Sequence, residues 1–270
     1  MRDNAVGGRK PSFMEEAVFS VHAEVENRHW WFVARRRILF SLIDRIMAET
    51  PGDLIVDVGC GTGGTVAALK GRYPCVGIDA SPVAIETARR LYPDCEFRRS
   101  AMPDDLQDVR SRTGLYLLMD VLEHIEDDRG FLEKLLTIVE PGASILLTVP
   151  AGPVLWSRHD VTVGHVRRYD MAGFERLFHG LPLEVRLMAP FNTRLYPAVR
   201  LIRALGNLLG TSAGASGTDF ALPPAPVNRV LEWIFAGERH ALLRAYGGGR
   251  RRSLLPGVSL LAVLKRPARP

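Results

Sequence analysis

A cluster of glycines near residue 60 is the segment of this sequence best suited to hold a ligand. Glycines between a strand and a helix let the backbone approach a ligand closely at the start of the helix. The apolar run at 54–58 predicts such a strand, and residues 65–70 predict the helix. The string at this junction reads Asp57, Val58, Gly59, Cys60, Gly61, Thr62, Gly63 and Gly64.

The glycine spacing alone is compatible with a dinucleotide. Gly59, Gly61 and Gly64 fit the G-x-G-x-x-G pattern, and Asp79 follows Gly59 by 20 residues, where a carboxylate can accept a pair of ribose hydroxyls. Asp57 argues against this interpretation, because a carboxylate beside the loop would repel a pyrophosphate and suit a positively charged amino group. Asp120 argues against it too, since it begins an acidic string at the end of another predicted strand, where ligands of such sheets bind.

Three strings, in this order and at these intervals, resemble the class I S-adenosylmethionine-dependent methyltransferases. They are DVGCGTG at 57–63, VGIDAS at 76–81 and MDVLEHIEDD at 119–128. The resemblance covers roughly residues 30–190. It implies S-adenosylmethionine as cofactor and a seven-stranded sheet whose final strand is antiparallel.

The resemblance also implies how each residue would contact this cofactor. The glycine loop would wrap the methionine part, with Asp57 at its amino group and Asp79 at its ribose. The string at 29–37 looks like a leader of some small-molecule members, in which an arginine meets the cofactor carboxylate; Arg36 is the expected residue and Arg35 the next candidate. The expected cofactor-binding residues are Asp57, Gly59, Cys60, Gly61, Gly63, Asp79, Ala80, Ser100, Ala101, Asp120, Arg36 and Trp31.

The segment 149–169 follows a predicted strand and is rich in residues that could act on a substrate. Loops after such strands face the reactive end of the cofactor. Histidine titrates near neutral pH, so His165 or His159 could be the base that deprotonates a hydroxyl acceptor, with Asp160 orienting the imidazole. Arg167 and Arg168 could hold an anionic group, which favours His165 as the base because it lies nearest to them in sequence. Trp156 and Tyr169 are expected to line the substrate pocket.

The expected function is methyl transfer to a small molecule, to oxygen first and to nitrogen or carbon as alternatives. The sequence lacks a histidine–cysteine metal spacing, and attack on a sulfonium needs no Lewis acid, so no metal is expected. An RNA methyltransferase is the second hypothesis, and a non-catalytic cofactor-binding protein is the third. The fourth predicted strand lacks the Asn-Pro-Pro-Tyr-type end that holds a flipped base amine, and the sequence shows no added RNA-binding module, which argues against the former. The intact glycine loop and Asp79 argue against the latter. A NAD-dependent oxidoreductase is a distant fourth.

Strands alternate with helices along most of the chain, which predicts an α/β fold with a doubly wound, Rossmann-like seven-stranded sheet. The fifth strand is predicted at 144–149. N-terminal helices precede this core, and a helical cap is inserted before the last strand. Within the cap, residues 227–246 predict a single amphipathic helix and residues 247–252 a flexible basic turn. The predicted divisions are a tail and helix at 1–28, the cofactor-binding core at 29–191, the cap at 192–252 and the closing strand at 253–270.

Composition narrows the class of partner. The chain has 270 residues and a net charge of +5. The surplus of Lys and Arg lies within 221–270, which disfavours a uniformly basic nucleic-acid binder but not a basic C-terminal segment. Three sparse cysteines predict a reduced, cytoplasmic protein, and no apolar run is long enough to span a membrane. The expected partner is a small acceptor, anionic or lipid-linked; peripheral membrane contact and a homodimer are further hypotheses for the apolar helices near 195–246.

Overall fold

The computed structural model describes residues 24–100, 103–209, 221–250 and 256–268. Its centre is a single sheet in the order β3-β2-β1-β4-β5-β8-β6-β7. The strands are β1 (Leu54–Val58), β2 (Cys75–Asp79), β3 (Glu96–Arg99), β4 (Thr113–Met119), β5 (Ser144–Pro150), β6 (Glu184–Phe191), β7 (Gly249–Arg250) and β8 (Ser259–Lys265). Strands β1 to β5 pair in parallel, so their carboxyl ends meet at one edge of the sheet.

The closing strand confirms the predicted fold. β8 runs antiparallel between β5 and β6, and pairs Ser144 with Lys265 at one end and Pro150 with Ser259 at the other. The seven predicted strands are all present. An eighth, the two-residue β7, pairs in parallel with β6 where the sequence predicted a basic turn. That prediction covered 247–252, of which 251–252 lie outside the described residues.

Helices cover both faces of the sheet. They are α1 (Trp30–Met47), α2 (Gly64–Leu69), α3 (Pro82–Leu91), α4 (Asp128–Leu136), α5 (Arg158–Thr162), α6 (Met171–Arg176), α7 (Tyr196–Leu209), α8 (Ala225–Ala236) and α9 (Arg239–Ala245). Successive side chains of β4 point to opposite faces: Leu117 packs with α1 and α8, and Leu118 packs with α4 and α6. Burial on both faces explains why the sequence shows continuous apolar runs here.

One predicted helix is two in the structure. The sequence predicted a single helix over 227–246, but α8 ends at Ala236 and α9 begins at Arg239. Glu238 between them is buried, and its carboxylate accepts hydrogen bonds from the backbone N–H groups of Thr193 and Arg194 at 2.8 and 3.0 Å. The turn therefore serves to tie α8 and α9 to the segment that precedes α7.

Three further predictions concern a membrane-spanning helix, the N-terminal segment and the loop after β5. No helix among the described residues has the length and apolarity needed to cross a bilayer. The predicted tail and helix at 1–28 fall mostly outside the described part of the chain, which begins at Glu24. Residues 158–162, predicted as part of a loop, form α5, because Ser157 and Asp160 make a reciprocal capping box.

Candidate active site

A cavity of about 1550 Å³ opens at the carboxyl edge of the sheet. The glycine loop and β2 bound one end of it, and the segment after β5 bounds the other. Helices α1, α7 and α8 line the side away from the sheet. Residues that are far apart in sequence therefore face one shared space, as the meeting of parallel strand ends predicts.

The glycine loop leaves room for a ligand at its backbone. Gly61 has a φ of 54°, and nothing lies within 4 Å of the position that its Cβ would occupy. Gly59 has a φ of 74°, and a Cβ there would lie 2.6 Å from a methyl of Val121, so a larger residue is excluded. Gly63 caps α2 in a left-handed conformation, and Cys60 is buried beneath the loop.

Asp57 is a buried carboxylate at this end of the cavity. It is 3% exposed, and its Oδ1 has no hydrogen-bond partner among the described residues. Burial raises its pKa to about 7, helped by the nearby Asp79 and opposed by Arg35. A buried carboxylate with one unpartnered oxygen beside an open glycine loop fits a ligand that carries an ammonium group.

Asp79 lies at the end of β2 and belongs to the structure of the loop. Its two oxygens accept hydrogen bonds from the backbone N–H groups of Gly61 at 2.9 Å and Ser81 at 2.8 Å. Burial raises its pKa, and these bonds act in the opposite direction. Ala80 and Ser100 line the cavity beside it, while Ala101 lies outside the described residues.

Of the arginines in α1, Arg35 is the one that lines the cavity. Its guanidinium lies 2.7 Å from the Asp120 carboxylate and 5.0 Å from the centre of the Trp31 ring, and all three line the cavity. Arg36, the expected residue, instead donates to Asn27 and to the carbonyl of Glu26 and is not among the lining residues. Consecutive helical residues point about 100° apart, so Arg35 and Arg36 meet different surroundings.

Asp160 organises the other end of the cavity. It accepts hydrogen bonds at 2.8 Å from both His165 Nδ1 and Arg168 Nη1. Burial alone would raise the pKa of Asp160, but the His165 hydrogen bond and the charges of Arg168 and Arg203 outweigh it and hold the pKa well below its usual range. An ionised Asp160 fixes His165 with Nδ1 protonated and Nε2 directed away from the carboxylate.

The expected substrate residues separate into two groups. His159, His165 and Arg168 line the cavity. Burial and the neighbouring Arg203 lower the pKa of Arg168 to about 10, so it stays charged at neutral pH.

The second group does not line the cavity. Arg167 pairs with Asp128, and the Tyr169 hydroxyl donates to the same carboxylate at 2.7 Å. Trp156 lies at the surface, where its carbonyl accepts from Asn207. Adjacent residues in the extended stretch 167–169 point in alternate directions, which is why only Arg168 of these three reaches inward.

Comparison with known proteins agrees with this geometry. The profile of a family described as "Methyltransferase domain" matches residues 31–187, more than half of the chain. The chain belongs to the class I S-adenosylmethionine-dependent methyltransferases. The matched segment contains the glycine loop, Asp79 and the histidine-rich string alike.

Curated relatives match less than half of this chain. Trans-aconitate 2-methyltransferase of Escherichia coli O157:H7 is 29% identical over 121 residues, which are 43% of this chain and 46% of the relative. The protein of the same name in Methylobacterium radiotolerans is 30% identical over 120 residues, 43% and 45% of the two chains. The match thus spans less than half the length of these relatives.

Solved structures share the fold over most of the methyltransferase. The plantazolicin methyltransferase BamL, in complex with a triazolic desmethylPZN analog and SAH, has a TM-score of 0.51 at 14% identity, over 93% of this chain and 90% of that one. The plantazolicin methyltransferase BpumL, with a monoazolic analog and SAH, has a TM-score of 0.52 at 15% identity, over 92% and 89%.

Among the polar residues of the cavity that were not predicted as site residues, Glu123 and Asn192 are distinguished by their burial. Glu123 is fully buried and Asn192 is 1% exposed, and no side-chain oxygen or nitrogen of either has a hydrogen-bond partner among the described residues. Glu123 stands in the acidic string that the sequence analysis noted. Asn192 gives no sequence signal; the structure distinguishes it by its φ of 54° and its place after β6.

Proposed function

We propose that this methyltransferase transfers a methyl group from S-adenosylmethionine to an oxygen atom of a small molecule bound in the same cavity. The observation that carries the proposal is the shared cavity: the glycine loop with Asp57 lies at one end, and the Asp160–His165 pair lies at the other. When bound, the cofactor supplies an electrophilic methyl group, and the protein must position an acceptor in line with it.

At the cofactor end, the chain offers groups of suitable charge for each part of the ligand. The Asp57 carboxylate is proposed to meet the ammonium group, and the open backbone at Gly61 to lie against the methionine part. Asp79 and Ala80 are proposed to meet the ribose. Arg35, whose buried Nε has no hydrogen-bond partner among the described residues, takes the carboxylate role that the sequence analysis gave to Arg36.

At the acceptor end, a hydroxyl must lose its proton as the new bond forms. His159 and His165 both line the cavity, and an imidazole nitrogen that carries a lone pair can accept this proton. Replacing the histidine that takes it by glutamine should lower turnover by about 10²–10⁴. Cofactor affinity should hardly change. Near-normal turnover in both variants would instead favour an amine acceptor that arrives neutral.

The acceptor is proposed to carry an apolar body. Val199 and Ile202 of α7 and Leu231 of α8 line the cavity, and Ile202 is also exposed, so it stands at the mouth. Leu205 and Leu208 continue this exposed apolar face along α7. The face is compatible with a lipid-linked acceptor at a membrane surface or with a second copy of the chain. Sedimentation with anionic vesicles tests the first occupant, and a measured molecular mass tests the second.

The free cysteines Cys60, Cys75 and Cys95 are compatible with a cytoplasmic location.

Calorimetry tests the proposed cofactor directly. Titration with S-adenosylhomocysteine should give saturable binding, and titration with NAD should give none. Candidate hydroxyl compounds are then incubated with the protein and S-adenosylmethionine, and methylated product is sought by mass spectrometry. Binding of NAD without S-adenosylhomocysteine would exclude the proposed function.

A further inference from the structure

Three potential metal ligands meet in the wall of the cavity. One ligand atom each from Glu123, His124 and His165 lies within 4.8 Å of the other two. His165 Nε2 is 3.7 Å from Glu123 Oε1, and the two imidazole rings are 4.9 Å apart. The three residues come from the segment after β4 and the loop after α5, so the fold and not the local sequence brings them together.

Glu123 is the member that requires an explanation. Its carboxyl group is fully buried, and neither oxygen has a hydrogen-bond partner among the described residues. Burying a carboxyl group without partners is costly, so such groups usually have a function. Asp120 and Asp160 nearby already form ion pairs, with Arg35 and Arg168. Of these three carboxyl groups, Glu123 is therefore the one that forms no ion pair with an arginine among the described residues.

The hydrogen bonds of the two histidines suit metal ligation. His165 Nδ1 lies 2.8 Å from an Asp160 oxygen, and His124 Nδ1 lies 3.2 Å from the carbonyl oxygen of Gly164. A carbonyl oxygen or a carboxylate can only accept, so each Nδ1 carries the proton and each Nε2 carries a lone pair. A second ring nitrogen fixed by a carboxylate or a backbone carbonyl is the usual setting of a metal-binding histidine.

We propose that Glu123, His124 and His165 bind a divalent first-row transition cation such as Zn²⁺ or Co²⁺. Two imidazoles and one carboxylate select for these ions over Mg²⁺ and Ca²⁺, which prefer oxygen ligands. Three protein ligands leave coordination positions open, and the three residues line the cavity. This proposal departs from the expectation of metal-free chemistry that was drawn from the sequence.

The role of the cation rests on the proposed function, whereas the site itself does not. A cation at this point would polarise an acceptor hydroxyl and lower its pKa. The O–H bond breaks and the proton passes to His159 or to water. The oxygen then forms a bond to the methyl carbon while the carbon–sulfur bond breaks, and the electron pair of that bond stays on sulfur.

Cobalt loading tests the site without any measurement of activity. The protein is stripped with a chelator, loaded with Co²⁺ and freed of excess metal, and bound cobalt is measured by elemental analysis and by visible absorption. We expect about one equivalent in the wild type and a loss of most of it in Glu123→Gln, which keeps the shape of the side chain. The exposed His240→Gln is the matched control and should bind like the wild type.

A second variant tests whether the carboxylate behind His165 supports ligation. Asp160→Asn removes the carboxylate behind His165 and should weaken cobalt binding by about 10–100-fold. Calorimetry with S-adenosylhomocysteine on the same samples reports the cofactor site: its failure in the wild type would refute the proposed function and leave the cation site standing. Equal cobalt binding by the wild type and Glu123→Gln, at any level, would overturn the proposal.

Discussion

Asp57 is a side chain whose charge should depend on pH and on the ligand beside it. Its pKa is raised to about 7, chiefly by burial, so it is mostly neutral below that pH. An ammonium group pairs with the ionised form only, and binding therefore tightens as the pH rises. Between pH 6 and pH 8, S-adenosylhomocysteine affinity should increase about tenfold, measured by calorimetry.

Two variants check that this pH dependence belongs to Asp57. In Asp57→Asn the affinity should be weak and nearly independent of pH over this range. Asp53→Asn changes an exposed carboxylate just before β1 and should keep the wild-type profile. A wild-type affinity that does not change between pH 6 and pH 8 would contradict the assignment of the ammonium group to Asp57.

The same carboxylate should destabilise the protein when no ligand is bound. The pKa of Asp57 in the folded state lies above its value in the unfolded state. Between about pH 4 and pH 7 the carboxyl group is therefore protonated in the folded state and ionised in the unfolded state. The contribution of Asp57 to the free energy of unfolding therefore falls as the pH rises through this window, by about 4 kcal/mol at most. Asp57→Asn should raise the melting temperature at pH 8 more than at pH 5. An equal change at both would exclude this effect.

Asp79 is expected to contribute to affinity through charged hydrogen bonds to the ribose. Asp79→Ala loses them, and at about 1.5–3 kcal/mol for hydrogen bonds to a charged group the affinity for S-adenosylhomocysteine should fall at least tenfold. Asp94→Ala, at an exposed carboxylate paired with Lys70, provides the control. Unchanged calorimetric affinity in a folded Asp79→Ala protein would refute the ribose contact.

Asn192 is proposed to contact the acceptor, since its amide faces the cavity without a protein partner among the described residues. Its φ of 54° is one that glycine adopts freely, so Asn192→Gly removes the amide without backbone strain. The variant should fold normally, raise KM for the acceptor and leave S-adenosylhomocysteine affinity unchanged. A normal KM would mean that the amide has no part in acceptor binding.

At the scale of elements, the turn between α8 and α9 holds the outer wall of the cavity. Glu238 accepts from two backbone N–H groups and from the Thr193 hydroxyl, all buried or half-buried. Glu238→Ala leaves these donors without their partner, and we expect the free energy of unfolding to fall by about 2–4 kcal/mol in denaturant titrations.

Glu232→Ala is the matched control for that element. Glu232 also lies in this region, but it pairs with Arg37, whose side chain is 55% exposed, so its loss should cost less than about 1 kcal/mol. Equal losses in the two variants would show that the Glu238 hydrogen bonds do not hold the turn. Because α8 also lines the cavity, Glu238→Ala should weaken acceptor binding as well.

The boundaries of helices and strands were predicted correctly in some places and wrongly in others. Buried strands such as β1 and β5 were found to within a residue, because apolar runs between glycine and proline have few alternatives. The break at Gly237 was missed because it depends on Glu238 meeting Thr193, a contact between distant segments. The two-residue β7 was missed for the same reason, since only its pairing with β6 defines it.

At the scale of the whole molecule, the sequence located the cavity better than it located the side chains inside it. The glycine loop, Asp79 and the histidine string were predicted to meet because parallel strands end at one edge. Which of Arg35 and Arg36 faces inward depends on the packing of α1, which no local pattern fixes. The buried, unpartnered state of Glu123 and Asn192 depends on every segment around them, so sequence alone could not reveal it.

A crystal structure of the protein with S-adenosylhomocysteine tests most directly the claim that the cavity is a methyltransferase active site. The ligand should lie along the glycine loop, with its amino group at Asp57, its ribose at Asp79 and its sulfur directed toward His165. Ordered density in that position would support every cofactor assignment made above. Density elsewhere, or a ligand whose sulfur points away from His165, would contradict the account.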